Sequence, residues 1–256
     1  MVMRIIKSLL TRILGLNKPL AVGTKNESTR VDWIRGNLAR IPKGARILDA
    51  GAGEQQFRKF CGHLTYVSQD FAQYDPKEYN SGLQMAAWDY GKLDIVSDIA
   101  AIPEPDHSFD AVMCTEVFEH IVNPREAISE FSRLVKPGGY LLITAPFCSL
   151  THFAPYHYYT GFNRFFYEKE LGAKGFDILD IQANGNFFEY VAQEVRRIGH
   201  IASLYSKDGL TQKEMIAANV LLTALQRFSD KDTRSFELLN FGLHVFAQKK
   251  NDRHEI

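Results

Sequence analysis

The stretch Ile47-Leu48-Asp49-Ala50-Gly51-Ala52-Gly53 constrains this chain more than any other segment. An apolar run ends in an acid and opens into a glycine turn. A parallel strand leads into a nucleotide-type cofactor loop in this way, because glycines permit the tight turn and let backbone N–H groups come close to a ligand. Ile47 and Leu48 belong to the core. Asp49 falls at the carboxyl end of the strand, where open α/β sheets bind ligands. The dinucleotide fingerprint asks for a third glycine three residues after the second, and Gln56 stands there instead. No Gly-Lys-Ser/Thr follows, so the lysine phosphate loop is absent as well. An acid before a glycine turn without a pyrophosphate signature suits a cofactor with hydroxyls and a cation.

The length of 256 residues allows one large α/β domain with a substantial core. With 30 basic and 30 acidic residues the net charge is zero, so no nucleic-acid partner is expected. Cys61, Cys114 and Cys148 are scattered and form no C-x-x-C, which disfavours a disulfide scaffold or a zinc site and fits a reducing, cytoplasmic compartment. No run is long enough to span a bilayer.

Residues 1–16 differ in character. Val2, Ile5, Ile6, Leu9, Leu10, Ile13 and Leu14 fall on one side of a helical wheel, and Arg4, Lys7, Ser8, Thr11 and Arg12 on the other. One reading is a helix that docks on the domain or on a partner subunit. The other is a helix lying on an anionic membrane surface, which would place the protein peripherally on the inner face of the membrane. Charge within the apolar run and the lack of a small-residue cleavage site disfavour a signal peptide. Residues 17–30 read as a linker, and residues 31–250 as the main domain.

The main domain alternates strands and helices. Strands are expected at Ala45–Ala50, Leu64–Gln69, Leu93–Ser97, Phe109–Thr115, Tyr140–Ala145, Phe176–Ile181 and Leu243–Gln248. A helix at Val31–Arg40 has Ser28 or Thr29 as its cap, and a short helix covers Gln55–Cys61. Asn123-Pro124-Arg125-Glu126 opens another helix with a capping box, and Lys136-Pro137-Gly138-Gly139 stops it. A helical insertion over 183–240 holds Phe188, Val191, Val195, Ile198 and Ala202 at helical spacing, followed by Met215–Phe228. It reads as cover for the sheet, with a dimer surface or substrate lid as alternatives. Nothing in the pattern fixes the oligomeric state.

Three strand regions end in an acid: Asp49, Asp70 and Asp98. The Asp49-to-Asp70 spacing suits a second acid that reaches a ribose. Asp98-Ile99 offers an acceptor for an amino group beside an apolar wall for a flat base. Taken singly, each acid is equally a helix cap or a solvated turn residue. As a set at one sheet edge they favour a ligand.

Here the chain resembles the class I S-adenosylmethionine-dependent methyltransferases. The matching segments are ILDAGAG, the strand ending in Asp70, SDIAAIPEPDHSFDAV, CTEVFEHI and RLVKPGGYLLITAP, in that order over roughly residues 31–182. The resemblance implies an α/β fold, a Rossmann-like doubly wound seven-stranded sheet, mostly parallel with an antiparallel last strand at Leu243–Gln248. It implies S-adenosyl-L-methionine as cosubstrate. Asp49, Gly51 and Gly53 would line its methionine end, and Asp70 would bind the ribose hydroxyls with Phe71 against the adenine. Asp98 and Ile99 would hold the adenine, and Thr115 and Glu116 would face the cofactor.

Methyl transfer from a sulfonium is an in-line displacement, so the enzyme must align acceptor and methyl and exclude water. An oxygen acceptor also needs a base or a metal to remove its proton. If Glu116–His120 is helical, Glu116, Glu119 and His120 share one face. They would then hold a divalent cation, as the similar Glu-x-x-Glu-His segment of quinone O-methyltransferases is associated with, although the metal-free reading is favoured. Glu119 and His120 are also candidates for general-base work or for local support. The second candidate runs from Pro146 to Tyr167, where aromatics and histidines crowd beyond any regular period. His152 or His157 would take a hydroxyl proton, and the rings would stack on a sugar, quinone or aromatic acceptor. The alternative is an aromatic mini-core. PYHYYTGFNRFFYE and NGNFFEYVAQE resemble methyltransferases that accompany bacterial surface-polysaccharide synthesis. The leading expectation is therefore O-methylation of a sugar, glycan or lipid-linked saccharide. Metal-assisted methylation of a quinone-like or other lipid acceptor and a non-catalytic cofactor-binding assembly subunit are the alternatives.

Overall fold

The structure, a computed structural model, describes residues 20–79 and 81–251. The amphipathic segment 1–16 therefore lies outside the described residues. Seven strands form one sheet: β1 (Arg46–Ala50), β2 (Thr65–Asp70), β3 (Ile95–Val96), β4 (Phe109–Thr115), β5 (Val135–Pro146), β6 (Phe176–Asn184) and β7 (Gly242–Lys249), in the order β3-β2-β1-β4-β5-β7-β6. Strands β1 to β5 pair in parallel, and β7 runs antiparallel to β5. Five α-helices accompany them among the described residues: α1 (Asn26–Leu38), α2 (Pro124–Leu134), α3 (Arg164–Ala173), α4 (Phe187–Tyr205) and α5 (Gln212–Ser229).

Side-chain alternation explains the layers. On β1, Leu48 joins one core and Ile47 the other; on β5, Leu141 and Ile143 point one way and Leu142 the other. The first core packs under α2 through Ala127, Ile128, Phe131 and Leu134. The second packs under α1 through Trp33, Ile34 and Leu38. Strands covered on both faces are buried along their length, and β1 and β4 are so except at Arg46 and Asp110.

Several local expectations change. The helix at Gln55–Cys61 is a single 3-10 turn at Arg58–Phe60, because Gln55 sits at φ 56 and its side-chain amide donates to the carbonyls of Tyr90 and Lys92. Strand three is only Ile95–Val96. Helix α1 starts at Asn26, so part of the expected linker is helical. Asn123 precedes α2, but its side chain makes no capping bond. Helix α2 stops at Leu134, as expected just before Lys136-Pro137-Gly138-Gly139, but that segment is more than a helix stop. It forms the start of β5, where the pairing with β4 shifts between Phe109 and Ala111.

The chain divides into two compact units, Met1–Ser28 with Asn184–Phe241 and Thr29–Ala183 with Gly242–Ile256. In the first unit Val22, Ala192, Leu222 and Leu225 form a small core, with Phe188, Val191 and Val195 against it. The Gln226 side-chain oxygen accepts from the backbone N–H of Ala21 and Val22, and Arg196 donates to the carbonyls of Leu20 and Val22. The second unit holds the whole sheet except Asn184 at the end of β6, and every candidate site residue.

Candidate cofactor and acceptor site

The glycine turn follows β1 at φ 75 for Gly51 and φ 51 for Gly53. Its N–H groups do not point at a ligand as expected. Gly51 and Ala52 donate to the carbonyl of Gln69, and Gly53 donates to Asp70 Oδ2 at 2.9 Å. The need for glycine comes from close packing instead. A Cβ on Gly51 would lie 2.5 Å from Val117, and one on Gly53 would lie 2.8 Å from the Trp88 ring.

Asp49 is buried at the end of β1. Its Oδ2 accepts a hydrogen bond from Tyr66 at 2.6 Å, while Oδ1 is buried without a hydrogen-bond partner. Burial pushes its carboxyl up to about 7, against the pull of the Tyr66 hydroxyl and with a smaller push from Asp70. A buried acceptor without a partner is costly unless a ligand supplies the donor. Asp70 ends β2, with Oδ1 accepting from Ala72 N–H at 3.0 Å and Oδ2 from Gly53. Burial raises its pKa while those backbone bonds oppose the shift. Phe71 follows it and meets Tyr156 edge-on at 4.9 Å.

Asp98 behaves differently. It is exposed two residues past β3, and its Oδ1 accepts from Ala100 N–H at 2.8 Å, which is the solvated-turn alternative. Ile99 is buried in the first core cluster, with Leu48 and Ala50 among its members. Thr115 is buried at the end of β4.

Glu116, Glu119 and His120 do not share a helical face. Glu116 adopts φ 54, which breaks any helix there, and only Phe118–His120 forms a 3-10 turn. The Glu116 carboxylate accepts from Thr144 Oγ1 and from Arg30 Nη1, both at 2.9 Å. It is thereby turned to a different task from Glu119.

Glu119 is joined by His152, which arrives from the loop after β5. Glu119 Oε1 lies 3.6 Å from His120 Nε2 and 3.9 Å from His152 Nε2. Glu119 Oε2 is buried with no hydrogen-bond partner. His120 Nδ1 faces the carbonyl of Tyr156 at 2.6 Å, and His152 Nδ1 faces that of Leu150 at 2.8 Å. A carbonyl only accepts, so each Nδ1 carries the proton and each neutral ring offers its Nε2 lone pair toward Glu119. Burial, with Glu116 adding to it, holds the Glu119 carboxyl well above the usual range. Burial, and then the neighbouring His152, depress His120 to about 3. Ligand atoms of Glu119, His120 and His152 lie within 4.8 Å of one another. Two imidazoles and a carboxylate suit a divalent cation, and their backbone-pinned tautomers are those a metal ligand needs. His157 stands 4.9 Å from the His152 ring, but its Nε2 is engaged by Ser149 Oγ at 3.1 Å. Burial lowers its pKa, with His152 adding to the effect.

The aromatic segment splits in two. Phe162, Phe166 and Tyr167 pack with Phe118 as core, which is the mini-core alternative. Phe153 instead stacks on Tyr74 at 4.4 Å and meets Trp88 edge-on at 4.9 Å. Leu83 bridges His152 and ties residues 81–85 to this loop. Sequence reasoning missed Arg30, Tyr66, Tyr74 and Trp88. Tyr66 pairs with Ile47 near the start of β2, two register positions before Asp49, and no pattern in that mixed polar and apolar strand marks it.

Asp49 Oδ1 fits the ammonium of a methionine moiety, since an unpartnered buried carboxylate oxygen asks for a cationic donor. With this geometry, the matches to known proteins take on meaning. Residues 48–143 match the family described as Methyltransferase domain. The match lies within the sheet, and the strand order with its antiparallel β7 is the Rossmann-like methyltransferase fold expected from the sequence. Among relatives, the ubiquinone biosynthesis O-methyltransferase of Xanthomonas axonopodis pv. citri is 33% identical over 124 residues, covering 45% of this chain and 48% of that protein. The chain thus spans about half the length of the curated relatives it matches. Among solved structures, a putative sarcosine dimethylglycine methyltransferase from Galdieria sulphuraria has a TM-score of 0.51 at 16% identity, covering 87% of this chain and 86% of its own. The 4+2 cyclase SpnF has a TM-score of 0.52 at 18% identity, covering 86% and 81%. A cyclase on the same fold means that the scaffold alone does not specify the reaction.

Proposed function

We propose that the protein transfers a methyl group from S-adenosylmethionine to a hydroxyl of a small, ring-bearing acceptor. The observation that carries this reading is Glu119, buried with an unpartnered oxygen between two imidazoles whose Nε2 lone pairs face it. A hydroxyl acceptor needs such a proton-accepting group, whereas binding alone does not. When bound, S-adenosylmethionine supplies an electrophilic methyl on a sulfonium. The acceptor oxygen forms the new C–O bond as the C–S bond breaks, and the hydroxyl proton passes to an imidazole nitrogen. His120 and His152, the two imidazoles beside Glu119, are the candidates for that task, since the Nε2 of His157 is engaged by Ser149. Glu119, when ionised, would stabilise the imidazolium that forms.

The relatives' names support a quinone-like ring as acceptor. Phe71 and Tyr156, in edge-on contact, offer a wall for a flat ring. The second reading is a sugar, glycan or lipid-linked saccharide, supported by exposed Tyr158 beside the histidines, since tyrosines stack on sugar faces. A metal-assisted version would use Glu119, His120 and His152 to hold a divalent cation, which would lower the pKa of a bound hydroxyl. The apolar and basic pattern of residues 1–16 supports a peripheral membrane location.

One assay separates these readings. The purified chain is incubated with methyl-labelled S-adenosylmethionine and either a dihydroxyphenyl acceptor or lipid-linked and nucleotide sugars. Label on the phenol with a loss of at least about 100-fold in His152→Ala supports the reading. Label on the sugar alone moves the acceptor to the second class. Full activity after exhaustive chelation sinks the metal-assisted version. S-adenosylhomocysteine binding without turnover on any acceptor would leave a non-catalytic subunit.

A further inference from the structure

Arg30, Trp33, Glu116, Thr144 and His244 form a closed ring of neighbours that the acceptor chemistry does not use. Arg30 and Trp33 stand three positions apart on α1, so they share one face of it. The Trp33 ring lies 5.1 Å from that of His244. His244 on β7 is the register partner of Thr144 on β5. Thr144 Oγ1 and Arg30 Nη1 both donate to Glu116, each at 2.9 Å, which closes the ring. Three nitrogens in it, Arg30 Nε, Trp33 Nε1 and His244 Nε2, are buried without a hydrogen-bond partner. Trp33 is only 8% exposed and His244 1%. The first two nitrogens can only donate, and a neutral imidazole can present a third N–H. Burial, and then the charge of Arg30, keep His244 neutral. Buried donors are costly until an acceptor meets them. Three of them together ask for a group with more than one acceptor oxygen.

The guanidinium selects that group. Nη1 is committed to Glu116, and the edge formed by Nε and Nη2 matches the two oxygens of a carboxylate. Glu116 also fixes the plane of the guanidinium in advance, which lowers the cost of ordering it on a ligand. The position of the ring identifies the ligand. Strand β1 pairs with β4 through Asp49 and Met113, and Gly51 in the turn after β1 packs on Val117, the residue next to Glu116. The ring therefore lies at the same sheet edge as Asp49, whose unpartnered Oδ1 fits an ammonium. An α-amino acid carries its ammonium and its carboxylate on one carbon. The groups that receive them must stand side by side, one acidic and one basic.

We propose, resting on the cofactor reading above, that Arg30 and Trp33 receive the carboxylate at the methionine end of S-adenosylmethionine, with His244 closing the site behind them. The experiment is titration calorimetry of the full chain with two ligands, S-adenosylhomocysteine and its decarboxylated analogue, which keeps the ammonium. The parent should bind the first at least about tenfold more tightly than the second. Arg30→Lys keeps the charge beside Glu116 and loses the planar edge. Trp33→Phe keeps the aromatic packing and loses the N–H. Each should weaken S-adenosylhomocysteine by about tenfold and leave the analogue's affinity unchanged. Arg30→Lys with Trp33→Phe should bring the two ligands to nearly equal affinity. Melting curves and circular dichroism report whether each variant keeps its fold. A parent without preference between the ligands would overturn the proposal. An equal loss on both ligands in the variants would overturn it as well, since that marks a structural role. No loss on either would mean that buried water satisfies the three nitrogens, which sinks it too. A parent that binds neither ligand counts against the cofactor reading itself, and the proposal falls with it.

Discussion

At Asp49, burial and ligand chemistry act on one proton. The carboxyl is lifted from 3.8 to about 7, so between those values the folded chain holds a proton that the unfolded chain has released. Stability without ligand is therefore full below about pH 4 and falls as pH rises toward 7. The loss is on the order of 4 kcal/mol at most, from a shift of roughly three units. Asp49→Asn removes this cost. The variant should melt several degrees above the parent at pH 8 and gain little at pH 4. A ligand ammonium favours the ionised carboxylate, so S-adenosylhomocysteine affinity should rise with pH through about 7 and release a proton, readable by calorimetry in buffers of different ionisation heat. Asp49→Asn should bind roughly tenfold to a hundredfold more weakly and lose that slope. A flat affinity profile in the parent would show that Asp49 does not meet the ligand's charge. Asp70 differs because its carboxylate also holds the turn. Asp70→Ala should weaken ligand binding, but it also strands the N–H groups of Gly53 and Ala72, so a stability loss of about 1–3 kcal/mol is expected in urea titration. Asp70→Asn keeps an acceptor for one of these N–H groups and turns an NH2 toward the other, so it should recover only part of that loss while still binding poorly.

The elements that matter most for the site are two loops, 71–92 and 147–162, and the turn after β1. Trp88 reaches back over Gly53 and meets Phe153 from the second loop. Gly53→Ala places a Cβ 2.8 Å from that indole and strains a backbone at φ 51. The left-handed conformation costs about 1–2 kcal/mol, and displacing the ring adds to it. Trp88→Ala removes the clash and leaves the backbone strain. The double variant should therefore be less destabilised than the sum of the singles, with a coupling of about 0.5–3 kcal/mol in a denaturation cycle. Strict additivity would mean that the indole does not cover the turn. The same elements show what a sequence can and cannot disclose. Strands β1 and β4 are readable because both faces are covered, and Phe109–Thr115 has the expected bounds. The short β3 was overextended, since only Ile95 and Val96 pair with β2. The helical face at Glu116–His120 failed because one left-handed residue reorients everything after it. Periodicity carries no record of that. The meeting of Glu119 with His152, 33 positions later, depends on the path of a loop without regular spacing. Likewise Tyr66 reaches Asp49 only through the pairing of β1 with β2.

Across the whole molecule, buried apolar surface is distributed unevenly between the two units. The sheet unit holds two large cores, with Ile47, Leu48, Val112, Leu141, Leu142 and Val245 wholly buried on neighbouring strands. In the helical unit the corresponding cluster is four buried residues, Val22, Ala192, Leu222 and Leu225. Local opening free energy follows buried contacts, so the two units should open separately and at different cost. Amides of β1, β4 and β5 should exchange only through global unfolding. Those of α4 beyond Gln193 and of α5 before Leu222 should exchange at least about 100-fold faster, a gap of roughly 3 kcal/mol. Limited proteolysis should cut first within residues 206–211, the exposed connection between the two helices. Protection of residues 193–221 equal to that of β4 would mean that they are covered in solution, and the uneven distribution of core would then not govern how this molecule opens.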